Sequence, residues 1–131
     1  MKWNKILISV IIVISSFYFP SCSKIFTNSP SKTIVKFYTL ANQGKYSEAE
    51  KLLSNEALNA INGPFSALAG GFRGMADNLT KNGNIKSIKI LKETIRGEGA
   101  NVKYIIYFKD GTQTQNEDNL IKENGMWKIT N

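Results

Sequence analysis

Between Ala100 and Lys109 the chain alternates without a break. Val102, Tyr104, Ile106 and Phe108 fall on one face, and Lys103, Ile105, Tyr107 and Lys109 on the other. A period of two suits a strand with one buried face and is useless to a helix. The punctuation around it is equally informative. Gly97-Glu98-Gly99 precedes this strand as a turn, and Asp110-Gly111 and Asn124-Gly125 are hairpin signals. Strands are therefore expected at residues 85–96, 100–109, 112–123 and 126–130, joined by tight turns into an antiparallel meander of about four strands.

The first half of the chain has a different period. Ser29-Pro30-Ser31 opens a helix, with a hydroxyl as cap and proline tolerated in the first turn. Ile34, Val35, Phe37, Tyr38, Leu40 and Ala41 recur at helical spacing until Gly44 stops the run. A second helix is expected from Tyr46-Ser47, burying Ala49, Leu52, Leu53 and Ala57, and broken by Asn62-Gly63-Pro64. Phe65, Leu68, Ala69, Phe72, Met75, Ala76 and Leu79 make a third stripe, weakened by Gly70, Gly71 and Gly74. Those glycines lack the order and the lysine of a phosphate-cradling loop. They read as close packing or a mobile segment, with a lid carrying Arg73 as the alternative. Helices first and hairpins after make an α+β domain, N-terminal helices packed on one antiparallel sheet.

Ahead of this domain, Lys2 and Lys5 precede an apolar-rich run, Ile6 to Phe19, that ends in Pro20-Ser21-Cys22. The run is fourteen residues long. At 1.5 Å per residue it reaches roughly 21 Å, short of a hydrocarbon core of about 30 Å. It fits a signal-peptide apolar region instead. Phe19 and Pro20 suit neither an ordinary cleavage site nor a strict lipobox, but Ser21 followed by Cys22 matches a relaxed one. Cys22 is the only cysteine in the sequence. Acylation there would remove an exposed thiol from an oxidising compartment and supply a multi-chain anchor. An uncleaved anchor or a buried free thiol is the alternative. The expected organisation is a lipoprotein signal peptide at 1–21, a tether at 22–30 after lipidated Cys22, and one domain at 31–131. With no aspartate after the cysteine, the expected address is a membrane of the cell envelope. In a Gram-negative host that means the periplasmic side of the outer membrane.

Seventeen basic and ten acidic residues give +7; the leader holds two of the lysines and no acid, leaving +5 for residues 22–131. The cations are scattered rather than interleaved with aromatics on one stripe, so no nucleic-acid partner is expected. Anionic lipid next to the anchor is the better use of that charge. The sequence contains no histidine. That removes serine–histidine and cysteine–histidine catalysis and histidine metal sites. Asn116-Glu117-Asp118-Asn119 is the densest acidic cluster, but alternation sends Glu117 and Asp118 to opposite faces. It lacks calcium-loop spacing and reads as solvated strand polarity. No cofactor, metal or catalytic residue is assigned.

Taken in order, "SPSKTIVKFYTLANQGKYSEAEKLLS", a glycine-bearing third helix, "GNIKSIKILKETIRGEGANVKYIIYFKDGT" and the closing "LIKENGMWKIT" carry a resemblance. The chain resembles small bacterial lipoproteins of unknown function in the nuclear transport factor 2-like (cystatin-like) superfamily, over about residues 30–131. The resemblance implies a cone: a curved sheet wrapped around a long helix, with a cavity between them. It implies no single activity, because that scaffold hosts enzymes, binders and assembly modules.

Two functions follow as expectations. The first is a membrane-anchored, non-catalytic module that binds a small apolar ligand or a protein. Its pocket candidates are Phe37, Tyr38, Phe72, Met75, Tyr104, Ile106, Phe108 and Trp127, with Val102 beside them. The second is a small isomerase- or dehydratase-like enzyme using a buried carboxylate, Glu93 or Glu98, with Tyr104 or Tyr38. A homodimer through the open sheet face carrying Ile105 and Tyr107 is a further expected partnership.

Overall fold

The computed structural model describes residues 29–64, 70, 71, 73, 74, 77 and 83–130. The leader, Cys22 and its tether, Phe72, Met75 and most of the expected third helix lie outside the described residues.

The sheet is the expected meander. Strands β1 (Ile85–Arg96), β2 (Gly99–Phe108), β3 (Gln113–Glu123) and β4 (Met126–Thr130) pair antiparallel in the order β1-β2-β3-β4. Every second residue of β2 from Ala100 to Phe108 is buried, so its alternation is realised in full. Its turns set the register. Asn124 and Gly125 both take positive φ, 52° and 75°, the backbone a two-residue type I′ hairpin requires. That turn pins Glu123 opposite Met126 and so Leu120 opposite Ile129. β1 departs from regular pairing at two register shifts, between Ile85 and Ser87 and between Ile90 and Lys92.

Helix α1 (Pro30–Asn42) lies against the sheet. The Ser29 hydroxyl caps it by accepting from the Lys32 amide at 3.2 Å, with Pro30 in the first turn. At the other end Lys45 N–H bonds Leu40 C=O (2.9 Å) and Gly44 N–H bonds Ala41 C=O (3.1 Å). This is a Schellman closure, with Gly44 at φ 74°. Ile34, Phe37, Tyr38 and Ala41 face inward at helical spacing, and the first three meet Val102, Tyr104, Ile106 and Phe108 in one cluster with Leu120, Trp127 and Ile129. Burying such side chains contributes roughly 1.5–3 kcal/mol each, before the entropy of ordering them.

Side-chain hydrogen bonds at two points fix the direction of α1. Ser31 N–H and Oγ–H both donate to Glu93 Oε2, near the end of β1. Asn42 Oδ1 accepts from the Ile85 amide at 2.9 Å, at the start of β1. The helix therefore runs antiparallel to β1, and its first turn sits at the β1–β2 turn end of the sheet.

The expected second helix is two. α2 (Tyr46–Glu50) stops and α3 (Asn55–Ile61) starts afresh, with Leu53 in a parallel bridge to Ile129 between them. The break has a physical cause. Ile129 N–H bonds Leu52 C=O and Ser54 N–H bonds Ile129 C=O, each at 2.8 Å. β4 thus supplies partners that a continuous helix would have taken from itself. Ser54 is better used as a cap: its hydroxyl accepts from Ala57 N–H at 3.0 Å and meets Thr130 Oγ1 at 3.1 Å. Farther on, Gly70 has φ of 86°, and after it Gly71, Arg73, Gly74 and Asp77 are helical, with Gly74 N–H bonding Gly70 C=O at 3.1 Å, so the described part of the expected third stripe is helix from Gly71 onward. Ser54→Ala is expected to cost about 1–2 kcal/mol in denaturant unfolding, since it removes a buried cap and the Thr130 contact. A change below a few tenths would mean that β4 alone holds this junction.

Candidate functional site

Within the apolar contact between α1 and the sheet lies a row of polar groups. Tyr38 on α1 and Tyr104 on β2 bring their hydroxyl oxygens within 2.7 Å, with ring centroids 5.6 Å apart. Tyr104 then donates to Asp118 Oδ2 on β3. A phenol has one proton, so Tyr104 must accept from Tyr38. The Asn116 side chain also hydrogen-bonds the Tyr38 hydroxyl. Its amide is the donor, because the Tyr38 proton is already given. The row therefore runs Asn116, Tyr38, Tyr104, Asp118, each donating to the next.

The sheet register puts these groups together. Val102 stands opposite Asp118 and Tyr104 opposite Asn116, so both β3 residues share the buried face of β2. Tyr104 is completely buried, whereas Asn116 and Asp118 are half-buried. Phe37 packs edge-on against Tyr38, ring centroids 5.2 Å apart.

Electrostatics follow from burial. The Tyr38 hydroxyl is pushed up to about 12, first by burial and then by the Asp118 charge, against its hydrogen bonds with Tyr104 and Asn116. Tyr104 is raised further, by burial and then by Tyr38 and Asp118. The Asp118 carboxyl is raised by burial, with the Tyr104 hydrogen bond pulling the other way. Neither phenol is a base near neutral pH. Both are donors, and Asp118 is the group that can exchange a proton.

Six of the residues singled out as pocket candidates are buried together: Phe37, Tyr38, Tyr104, Ile106, Phe108 and Trp127. Trp127 also borders a groove of about 430 Å³ with Lys36, Leu40, Leu52 and Met126, and Lys122 Nζ lies 5.3 Å from its ring centroid. A second groove, about 370 Å³, runs between α1 and β1 along Val35, Leu40 and Ile90. The acids first considered do not join the tyrosines. Glu93 is held at the rim by Ser31, and Glu98 is exposed in the β1–β2 turn. Asp118 takes that place, so Asn116 and Asp118 are not solvated strand polarity. The signal was available: Thr114, Asn116, Asp118 and Leu120 share one parity, and Leu120 is apolar. Arg73, considered for a lid, stacks over the Tyr46 ring at 5.4 Å, and Tyr46 donates to Asp77 at 3.0 Å. Among the described residues no group of three acids or other ligating side chains could hold a metal.

Residues 23–130 match the family profile of a domain of unknown function (DUF4878). No curated protein matches the chain in sequence. Among solved structures, a provisionally named NTF2-like transpeptidase from Campylobacter jejuni is similar at 17% identity and a TM-score of 0.58. That likeness covers 76% of this chain and 95% of that one. A SEC-C motif containing protein from Rhodopseudomonas palustris is similar at 11% identity and a TM-score of 0.61, over 79% of this chain and 77% of that one. At such identities the likeness establishes the NTF2-like fold and nothing about activity.

Two outcomes test the row. A phenol raised on folding contributes its stability in full below pH 10 and loses it as pH rises through about 12. Phenolate absorbance from Tyr38 and Tyr104 is thus expected only with alkaline unfolding; titration of every tyrosine near pH 10 with native circular dichroism would contradict it. Tyr104→Phe leaves the Tyr38 hydroxyl and Asp118 without their shared partner and is expected to cost about 1–3 kcal/mol. In a cycle with Tyr38→Phe the losses should fail to add.

Proposed function

The chain belongs to the DUF4878 family of domains of unknown function, and on that premise we propose that it is an exported, lipid-anchored binding module. Its NTF2-like domain holds a small ligand by hydrogen bonds to Asp118 and Asn116 on the inner sheet face. One observation carries this reading. The inner face of β3 spends two positions on half-buried polar side chains where apolar ones would fill a core. A buried polar group costs stability unless it is satisfied, and Tyr104 satisfies one oxygen of Asp118. The other oxygen and the Asn116 side-chain carbonyl can accept from a ligand bearing donors, while Phe37 and its apolar neighbours suit a hydrophobic body. The acylated Cys22 would hold this domain at an envelope membrane.

A second reading, an isomerase- or dehydratase-like acid–base centre, is favoured by the raised Asp118 carboxyl bonded to a tyrosine donor. Binding is preferred because both phenols are committed to the row. The activity in the name of the Campylobacter protein is not carried over at 17% identity.

The test is Asp118→Asn, which keeps an acceptor for Tyr104 and removes the charge. A carboxyl raised on folding contributes stability in full below its ordinary 3.8 and loses it as pH rises through the raised value. At neutral pH the variant should be at least as stable as wild type. Native mass spectrometry of protein extracted from host membranes should find a small molecule on the wild type, held about tenfold more weakly by the variant. Wild type and variant equally empty would sink the reading. Separately, Cys22→Ala should abolish lipid labelling and shift the protein to the soluble fraction; unchanged, lipid-labelled membrane association would refute the anchor.

A further inference from the structure

Strand pairing places Lys92 directly opposite Lys103 on the open face of the sheet. Like charges in that position destabilise a pair of strands. Arg96 follows on the same face, and Lys89, opposite Ile105, precedes. Together Lys92, Thr94, Arg96, Asn101, Lys103 and Glu117 line a groove of about 360 Å³. Glu117 lies 3.6 Å from Lys103, leaving the groove with an excess of positive charge. At the same end of β1, Leu91 and Ile95 are 44% and 51% exposed. Ile95 pairs with Ala100 and so stands on the opposite face from Lys92, which leaves the groove itself a surface defined by its charge.

The position of this groove in the fold says what covers it. Glu93, beside Lys92, holds Ser31 at the first turn of α1, so the chain arrives from its N-terminal segment at this end of the sheet. From Cys22 to Ser29 the backbone can reach at most roughly 25 Å. An anchor at Cys22 therefore keeps the groove close to the bilayer, where attraction to anionic lipid is worth about 1 kcal/mol per basic residue. The geometry points to the Lys92–Lys103 groove as the surface by which the domain lies on anionic phospholipid headgroups. The choice of lipid as the source of the phosphate rests on the anchor proposed above. A second copy is the poorer occupant, because face-to-face pairing would set four cations against four.

The experiment uses the full chain carrying Cys22→Ala, so that binding does not depend on acylation. Sedimentation is measured with vesicles of phosphatidylcholine alone and of phosphatidylcholine with phosphatidylglycerol. The apolar run of the leader contributes equally to both, and Lys2 and Lys5 add the same charge to every variant, so differences between variants report the sheet. A preference for the anionic vesicles that weakens with salt is expected. Lys92→Glu with Lys103→Glu should lower that preference about tenfold or more, and the paired glutamine variants by less. Glu117→Gln should raise it. Lys45→Glu with Lys109→Glu, at the opposite end of the sheet, should leave it nearly unchanged. Equal loss in the two glutamate variants, or no preference in the parent chain, overturns the inference. So does release by inorganic phosphate beyond that by chloride at matched ionic strength, which would mark a site for free anion. Fractionation of Cys22→Ala cells reports the anchor independently, so failure of one does not pass for failure of the other.

Discussion

Tyr38 and Tyr104 meet hydroxyl to hydroxyl in the middle of an apolar contact, and the placement of α1 on the sheet depends on that meeting. Apolar packing alone is tolerant, since a helix can slide or rotate on a greasy strand at modest cost. A hydrogen bond in a low-dielectric interior is not tolerant, because losing it strands two buried polar groups. With Asp118 receiving the Tyr104 proton, three elements that are distant in sequence are held to one register. Among the described residues no buried side-chain nitrogen or oxygen is left without a partner. The row is a satisfied network rather than a defect.

The same row keeps part of the inner sheet face polar. α1 packs chiefly over β1, β2 and β4, while Asn116 and Asp118 on β3 remain half-buried beside it. Stability alone would be served by leucine or valine at these positions. Their polarity serves the row: Asp118 accepts from Tyr104, and Asn116 hydrogen-bonds Tyr38. Burial raises the Asp118 carboxyl and both phenols alike, so the site has donors and one exchangeable proton, without an activated nucleophile.

Direction matters as much as contact. Ser31 on Glu93 at one end and Asn42 on Ile85 at the other run α1 antiparallel to β1. That single choice brings the entering chain, the Lys92–Lys103 pair and the exposed Leu91 and Ile95 to one end of the molecule. Had α1 run the other way, the chain would enter beside Lys109, at the far end of the sheet from the basic groove.

Local chemistry was legible from residues alone. The period-two pattern of β2, the Asn124-Gly125 turn and the Ser29-Pro30 start with its Gly44 stop each depend on neighbours a few positions away, and each appears as read. The split between α2 and α3 was not legible, because Ser54 becomes a cap only when β4 arrives to bond Leu52 and Ser54. Nor was the polar row. The parity of β3 was plain, but whether Asp118 faces water or tyrosine depends on which hairpin face α1 covers. What the sequence by itself determined is the set of elements and their turns, since propensity, capping and alternation act over short range. What only the tertiary structure decided is which polar side chains meet, because hydrogen bonds between residues 66 apart exist only once packing has brought their strands and helix together.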